Sequence, residues 1–416
     1  MAHDGTLKIA LLTYRGHPHV GGQGVYVHYL SRALAELGHH VTVFAGPPYP
    51  ALSDQVSLVR VPSLDLYRPD DPFRRPSRHE FKDVIDYLEY GLMCTAAFPE
   101  PLTFSLRVAR LLSIYEPAFD IVHDNQCLGY GLLTLQRRGR PVVATIHHPI
   151  SVDRRLDLDR AGSRQRRVSL RRWYSFTRMQ ARVARRLPRL IAVSESARDD
   201  VAREFRVDPT ALAVVYNGVD PELFRPLPDA PRRPGRVITI ASSALPMKGL
   251  AFLVEAIAKL RTEREAELIV VGRGGDDAAT RALVTRFGLD SAVRFEGRVD
   301  ALRLVELYAS AEVAVVPSLY EGFSLPAAEA MSCGVPLVAT TAGALPEVAG
   351  SDGISSVLVP PGDAAALASA VGRLLDDPVL RMRIGHAGRA RVLDRFAWRA
   401  TAHHTIEQYR RVLDRC

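Results

Sequence analysis

Residues Glu312–Thr340 read EVAVVPSLYEGFSLPAAEAMSCGVPLVAT. The stretch opens on an apolar run, Glu312–Val316, and passes through a loop marked by Pro317 and Gly322. It then takes up a helical pattern after Ser324 and closes on a second apolar run, Pro336–Ala339. Strand, loop, helix and strand in one short span predict a βαβ unit, which sets two strands parallel. Both runs are continuous Val, Ala and Leu without polar alternation, as strands covered on both faces by helices should be.

Outward from this unit the same rhythm holds. Lys8–Leu12, His40–Phe44, Gln55–Val61, Asp120–His123, Pro141–Ile146, Leu190–Val193 and Ala213–Tyr216 read as strands in the first half. Val237–Ala241, Glu267–Val271, Val293–Glu296 and Ser356–Val359 join the two quoted runs in the second. Helical patterns separate them, so each half predicts a parallel sheet. Asn217–Gly235 breaks the rhythm with Asn-Gly-Val-Asp-Pro and then Pro226, Pro228, Pro231 and Pro234. That is a linker composition. It divides the chain into 1–216 and 217–395, with a final helix over 396–416. Pro47–His79 holds seven prolines and reads as a long surface loop.

The composition narrows the class. A chain of 416 residues with 47% hydrophobic and 24% charged residues is globular, with room for two large domains. Four scattered cysteines, Cys94, Cys127, Cys333 and Cys416, show no metal-ligand spacing and suit a reducing compartment. No run is long and apolar enough to span a membrane, and the N-terminus has no basic leader, so a cytoplasmic protein is expected. The net charge of +8 is concentrated. Arg154–Arg189 carries thirteen arginines against Asp157 and Asp159, a local +11. Within it, Trp173, Phe176, Val183 and Leu187 make an apolar helical stripe. Peripheral contact with an anionic membrane at its inner face is therefore a candidate, beside the plainer reading of a covered helix with a solvated basic face. Nucleic acid is not expected, since no recognition module is present.

The ordered motifs resemble a known family. Gly21-Gly22-Gln23-Gly24 follows the first strand, and Thr145-Ile146-His147 ends another. Asn217-Gly218-Val219-Asp220 sits at the linker, and Lys248-Gly249 opens a helix. Glu321 and Glu329 form a Glu-x7-Glu pair, and Gly343-Ala344-Leu345-Pro346-Glu347 follows. Taken together, the chain resembles the retaining glycosyltransferases of the GT-B fold, family 4, over nearly its whole length.

The resemblance implies two doubly wound Rossmann-like domains facing across a cleft, the acceptor side on the first and the nucleotide-sugar on the second. The final helix would return to the first. The reaction it implies moves a hexosyl group from a UDP- or GDP-sugar to an acceptor hydroxyl, of a lipid or polysaccharide precursor for example. Retention would come by front-face transfer, the leaving phosphate taking the acceptor's proton. Charge grows on a departing diphosphate, so N–H groups and cations are needed there, with oxygens near the sugar. Gly21 and Gly22 between strand and helix would let backbone N–H groups approach phosphate. Lys248 would neutralise the diphosphate. The family's Arg a few positions earlier is replaced by Ser242-Ser243; Ser243 stays in the expected donor set and Arg273 is a candidate substitute. Ser324 is expected as an N-cap with Pro326 in the first turn. Glu329 would hold the ribose, and Glu321 would meet the donor sugar. The backbones of Gly322, Phe323, Ser324 and Leu325 would line it, and Val299 would border the base. His147 would help position the sugar, and Asp153 could meet the acceptor. No metal or other cofactor is expected. A sugar-nucleotide epimerase or phosphorylase on the same fold is one alternative. A non-catalytic nucleotide-sugar or membrane-surface binding protein is the other, kept open by Ser243.

Overall fold

A computed structural model describes residues 5–16, 22–68, 70–114, 119–159, 161–241, 246–272 and 278–414. The chain divides into two compact units, one of 1–215 with 401–416, the other of 216–400.

The first unit is built on seven strands. They are β1 (Lys8–Thr13), β2 (His40–Ala45), β3 (Ser57–Arg60), β4 (Ile121–Asn125), β5 (Val142–Ile146), β6 (Leu190–Ala192) and β7 (Leu212–Val214). Their order is β3-β2-β1-β4-β5-β6-β7, all parallel. Every residue of β4 and β5 is buried, which explains why these strands show no polar alternation. Leu12, Val122, Ile146 and Leu190 pack with Phe104, Leu132, Val183 and Phe205 from flanking helices. Strand order reverses direction between β1 and β4. In open α/β sheets that switch point, at the carboxyl ends of the strands, is where ligands bind.

The second unit repeats the plan with six strands. They are β8 (Arg236–Ile240), β9 (Glu267–Val271), β10 (Val293–Gly297), β11 (Val313–Val316), β12 (Leu337–Thr340) and β13 (Val357–Val359). Their order is β10-β9-β8-β11-β12-β13, again all parallel, so the switch point lies between β8 and β11. Leu253, Val254 and Ile257 of the helix Leu250–Leu260 cover Leu268, Val315 and Val338 together with Leu367 and Val371. The quoted βαβ unit is β11, the helix Leu325–Ser332 and β12.

The linker motif has a packing reason. Val219 N–H donates to the Phe396 carbonyl at 2.7 Å. A Cβ on Gly218 would lie 2.4 Å from the Trp398 nitrogen, so only glycine fits beside the second crossing of the chain. From Thr401 the last helix, Trp398–Leu413, belongs with the first unit. There the Tyr409 hydroxyl meets His123 Nδ1 at 2.6 Å, and Arg189 donates to Gln408 Oε1. The stretch 47–79 is irregular except for β3 and a short turn of helix at Arg78–Glu80.

The apolar stripe of the arginine-rich segment follows the plainer of its two readings. Phe176, Val183 and Leu187 are buried in the first unit's core, and Trp173 packs on Phe98 and Tyr67 with ring centroids 5.0 and 5.5 Å away. Helical periodicity reports a buried face but not what covers it; here protein covers Phe176, Val183 and Leu187, and Trp173 stays part-buried at the edge of that core.

Candidate active site

In the second unit β11 delivers Pro317 to the sheet's carboxyl edge, beside the switch point. The loop that follows is fixed from three sides. Leu319 N–H donates to the Met247 carbonyl at 2.6 Å, Thr340 Oγ1 donates to the Ser318 carbonyl at 2.5 Å, and Ala344 N–H donates to the Glu321 carbonyl at 2.9 Å. Two glycines permit this closeness. Gly249, at φ 66°, would bring a Cβ to 1.9 Å from the Pro317 oxygen. Gly343, at φ 56°, would bring one to 2.2 Å from the Glu321 oxygen. Thus the Lys-Gly and Gly-Ala-Leu-Pro-Glu motifs serve to clamp the loop that carries Glu321.

The clamp produces a charged constellation. Glu321 is buried, and its Oε1 accepts from Lys248 Nζ at 2.7 Å and from Ser318 Oγ at 2.7 Å. Lys248 closes the short helix Pro246–Lys248 ahead of the helix Leu250–Leu260, rather than opening the longer one. The two residues proposed from sequence as separate actors are therefore one ion pair. Ser318, which had no expected role, completes it; its only signal was its place in the quoted stretch.

Glu329 lies on the helix Leu325–Ser332, half-buried, and among the described residues its carboxylate has no hydrogen-bond partner. The nearby Tyr308 hydroxyl is committed to the Pro326 carbonyl at 3.1 Å. Burial pushes Glu329 up to about 7. An acceptor-rich side chain without partners, in a partly dry place, is suited to hydroxyl donors from a ligand.

Ser324 departs from expectation. It holds the N-cap position, but its side chain caps nothing, its Oγ is buried without a partner, and its φ is 83°. A left-handed backbone at a non-glycine residue is costly and is sustained only where the surroundings enforce it. The first-turn N–H groups of this helix are consequently not consumed by a cap. Phe323 turns its ring into the protein, against Phe396 at 5.5 Å and Tyr216 at 6.5 Å, and so anchors the loop. Gly322 and Leu325 flank it, both partly exposed. Val299 follows β10 on the same carboxyl edge, with β9 and β8 lying between that strand and β11.

The first unit has its own cluster at the carboxyl ends of β4 and β5. Asn125 Nδ2 donates to the Gln23 carbonyl at 3.2 Å, in the first turn of the helix Gly22–Glu36. Its oxygen therefore faces His147, whose Nε2–H donates to it at 2.7 Å, leaving Nδ1 as an acceptor. His147 N–H donates to Gln126 Oε1 at 2.6 Å, and the Tyr26 ring meets the imidazole edge-on at 4.8 Å. Burial above all, then the neighbouring His148 and His123, pushes His147 down to about 3, so it is neutral at physiological pH. Gln126 and Leu128 hold φ of 56° and 50°. Sequence reading missed Asn125, Gln126 and Tyr26, because their link to His147 exists only once β4 lies beside β5. His148 Nε2 meets Asp153 Oδ2 at 2.9 Å, so both are turned toward each other. Gly21, Ser243 and Arg273 lie outside the described residues. Among the described residues no group of three His, Cys, Asp or Glu side chains could hold a metal ion, and no helix is long and apolar enough to cross a membrane.

Comparison with known proteins agrees with this division. The model of Glycosyltransferase Family 4 matches residues 20–223, and that of Glycosyl transferases group 1 matches 235–377. The chain is similar to MMP alpha-(1->4)-mannosyltransferase of Mycolicibacterium hassiacum, 49% identical over 98% of this chain and 99% of the relative. Among solved structures it is similar to sucrose-phosphate synthase from Thermosynechococcus elongatus, with TM-score 0.76, 25% identity, and coverage of 98% of this chain and 99% of that one. It is also similar to Anabaena HepE in complex with UDP-glucose, with TM-score 0.69 at 19% identity, covering 96% and 98%.

Proposed function

The chain belongs to glycosyltransferase family 4, the group 1 glycosyl transferases of GT-B fold, and from that premise we propose that it moves an α-mannosyl group from a nucleotide-sugar to a sugar hydroxyl with retention of configuration. The observation that carries this reading is the clamped Lys248–Glu321–Ser318 constellation, with the unpartnered Glu329 carboxylate on the adjoining helix. Mannose as the transferred sugar is supported by the mannosyltransferase activity for which the 49% identical relative is named. A nucleotide-sugar donor is supported by the UDP-glucose bound to HepE, and the nucleoside diphosphate proposed here is UDP or GDP.

In this reading Glu329 accepts the ribose hydroxyls. The uncapped N–H groups around Ser324 and Leu325 meet the diphosphate, where fixed dipoles stabilise growing negative charge without reorganising. Lys248 keeps two N–H donors beyond its bond to Glu321 and turns them to the leaving phosphate. Glu321, held by Lys248 and Ser318, meets the donor sugar's hydroxyls. Gly22, with Gly21, offers backbone N–H groups, and His147 is assigned to the transferring sugar on the family resemblance alone. The leaving phosphate takes the acceptor's proton. Lys248 and the helix dipole carry the charge that a metal would otherwise neutralise, so no divalent cation is required.

The test is incubation with GDP-mannose and, separately, UDP-glucose, each with a methyl α-mannoside acceptor, followed by proton NMR of the product. An α-linked product with matching nucleotide release, unchanged by EDTA, is expected. A β-linked product, transfer from UDP-glucose alone, or no release from either donor contradicts the proposal.

A further inference from the structure

At the carboxyl edge of the first unit's sheet, a second group of side chains stands apart from His147. Tyr67 and Phe73 come from the segment after β3, Phe98 from the turn before the helix Glu100–Leu112, and Trp173 from the end of the helix Arg164–Trp173. Their rings meet one another at centroid distances from 5.0 to 6.2 Å. Arg15, two residues past β1, lays its guanidinium over Phe98 at 5.4 Å and Tyr67 at 5.7 Å. A satellite core under a loop would hide such rings, yet Phe73 is 59% exposed. It is also held in an expensive backbone: Phe73 has φ 64°, and Asp65 and Ala96 beside the same rings have 48° and 61°. Two bonds enforce it, Phe73 N–H to the Leu66 carbonyl at 2.8 Å and Arg74 Nη1 to the Leu64 carbonyl at 2.7 Å.

The guanidinium on these rings is paired. Arg15 donates through Nε and Nη2 to the two carboxylate oxygens of Glu100, at 2.5 and 2.7 Å. A bidentate pair satisfies the guanidinium's fork; burial pushes Glu100 up to about 7, and Asp65 adds a second acidic group near both. Among the described residues Arg15 is the cation that lies over these rings, and its fork is already taken. A pyranose has an apolar C–H face that suits an aromatic platform, and a rim of hydroxyls that both donate and accept. Arg15 donates and Glu100 accepts.

We propose that Tyr67, Phe73, Phe98 and Trp173 form the platform on which an uncharged saccharide acceptor stacks, with Arg15 and Glu100 bonding its hydroxyls. The assignment rests on the transferase reading and names its acceptor class: a neutral pyranoside and not a sugar phosphate.

Tryptophan emission reads this platform, because the chain has only Trp173 and the buried Trp398. The full chain is titrated with the methyl glycoside of an α-(1→4)-mannotetraose, then with mannose 6-phosphate, and separately with GDP and UDP. A saturable emission change with the neutral saccharide is expected, absent in Trp173→Phe. Phe73→Ala, an exposed substitution that spares the core, should weaken the response about five- to tenfold, the worth of one aromatic contact. Nucleotide affinity should be unchanged in both variants. A response that survives Trp173→Phe, an unaltered half-saturation in Phe73→Ala, a stronger response to mannose 6-phosphate, or none to either sugar overturns the proposal. Saccharide binding of the expected kind without affinity for either nucleotide would support the platform and count against the donor reading alone.

Discussion

Glu321 and Lys248 depend on each other. Removing the amine would strand a buried carboxylate with Ser318 as its remaining partner, which typically costs about 1–3 kcal/mol. Lys248→Ala should therefore lower both stability in urea and turnover. Glu321→Gln keeps the shape and should lower turnover far more than donor affinity; equal turnover would remove Glu321 from the chemistry. Acid–base behaviour follows from burial. Glu329 is pushed up to about 7 from the usual 4.5. A carboxyl whose folded pKa lies above its unfolded one contributes stability that is present below the unfolded value and lost as pH rises through the folded one. Glu329→Gln should thus melt with wild type at about pH 5 and above it at about pH 8, because the ionised form carries the burial penalty. Identical melting at both would show that the carboxylate is not desolvated. His123 and His147 are each pushed down to about 3, so neither supplies a charge change near neutrality.

At the scale of elements, the loop between β11 and the helix Leu325–Ser332 is set by contacts from elsewhere in its unit. Gly343→Ala puts a methyl against the Glu321 carbonyl in a left-handed backbone. A loss of at least about 2 kcal/mol is expected, with activity falling alongside; thermal unfolding and turnover equal to wild type would show the clamp to be slack. The strands were legible because burial on both faces leaves a continuous Val, Ile and Leu signature, as in β5 and β11. The motifs at Lys248, Glu321, Glu329 and His147 could be read singly. Their partners could not. The bond from Lys248 to Glu321 needs Gly249 seated against Pro317, and the bond from His147 to Asn125 needs two strands in register. Ser324 looked like an ordinary cap, since composition carries no sign of a left-handed backbone. The stripe Trp173, Phe176, Val183 and Leu187 had the right period, but a period does not identify its cover.

Across the whole molecule, one sheet plan is used twice, and the last helix is tied into the first unit by a buried polar chain. His123 bonds Tyr409 on one side and Thr145 on the other, and the Tyr26 hydroxyl meets Thr145 at 3.0 Å. Tyr409→Phe leaves a buried ring nitrogen unpaired and should cost about 1–3 kcal/mol in urea denaturation; no change would mean that apolar packing alone holds the helix. The second unit makes the stronger chemical claim, that a nucleoside diphosphate is gripped at the carboxyl edge of its sheet, the pentose on Glu329. Titration calorimetry of GDP and UDP against wild type and Glu329→Ala tests it most directly. One nucleotide should bind wild type saturably and the variant about ten- to a hundredfold more weakly, as the loss of charge-assisted hydrogen bonds implies. Equal affinity in the two proteins, or no binding of either nucleotide to wild type, would contradict it.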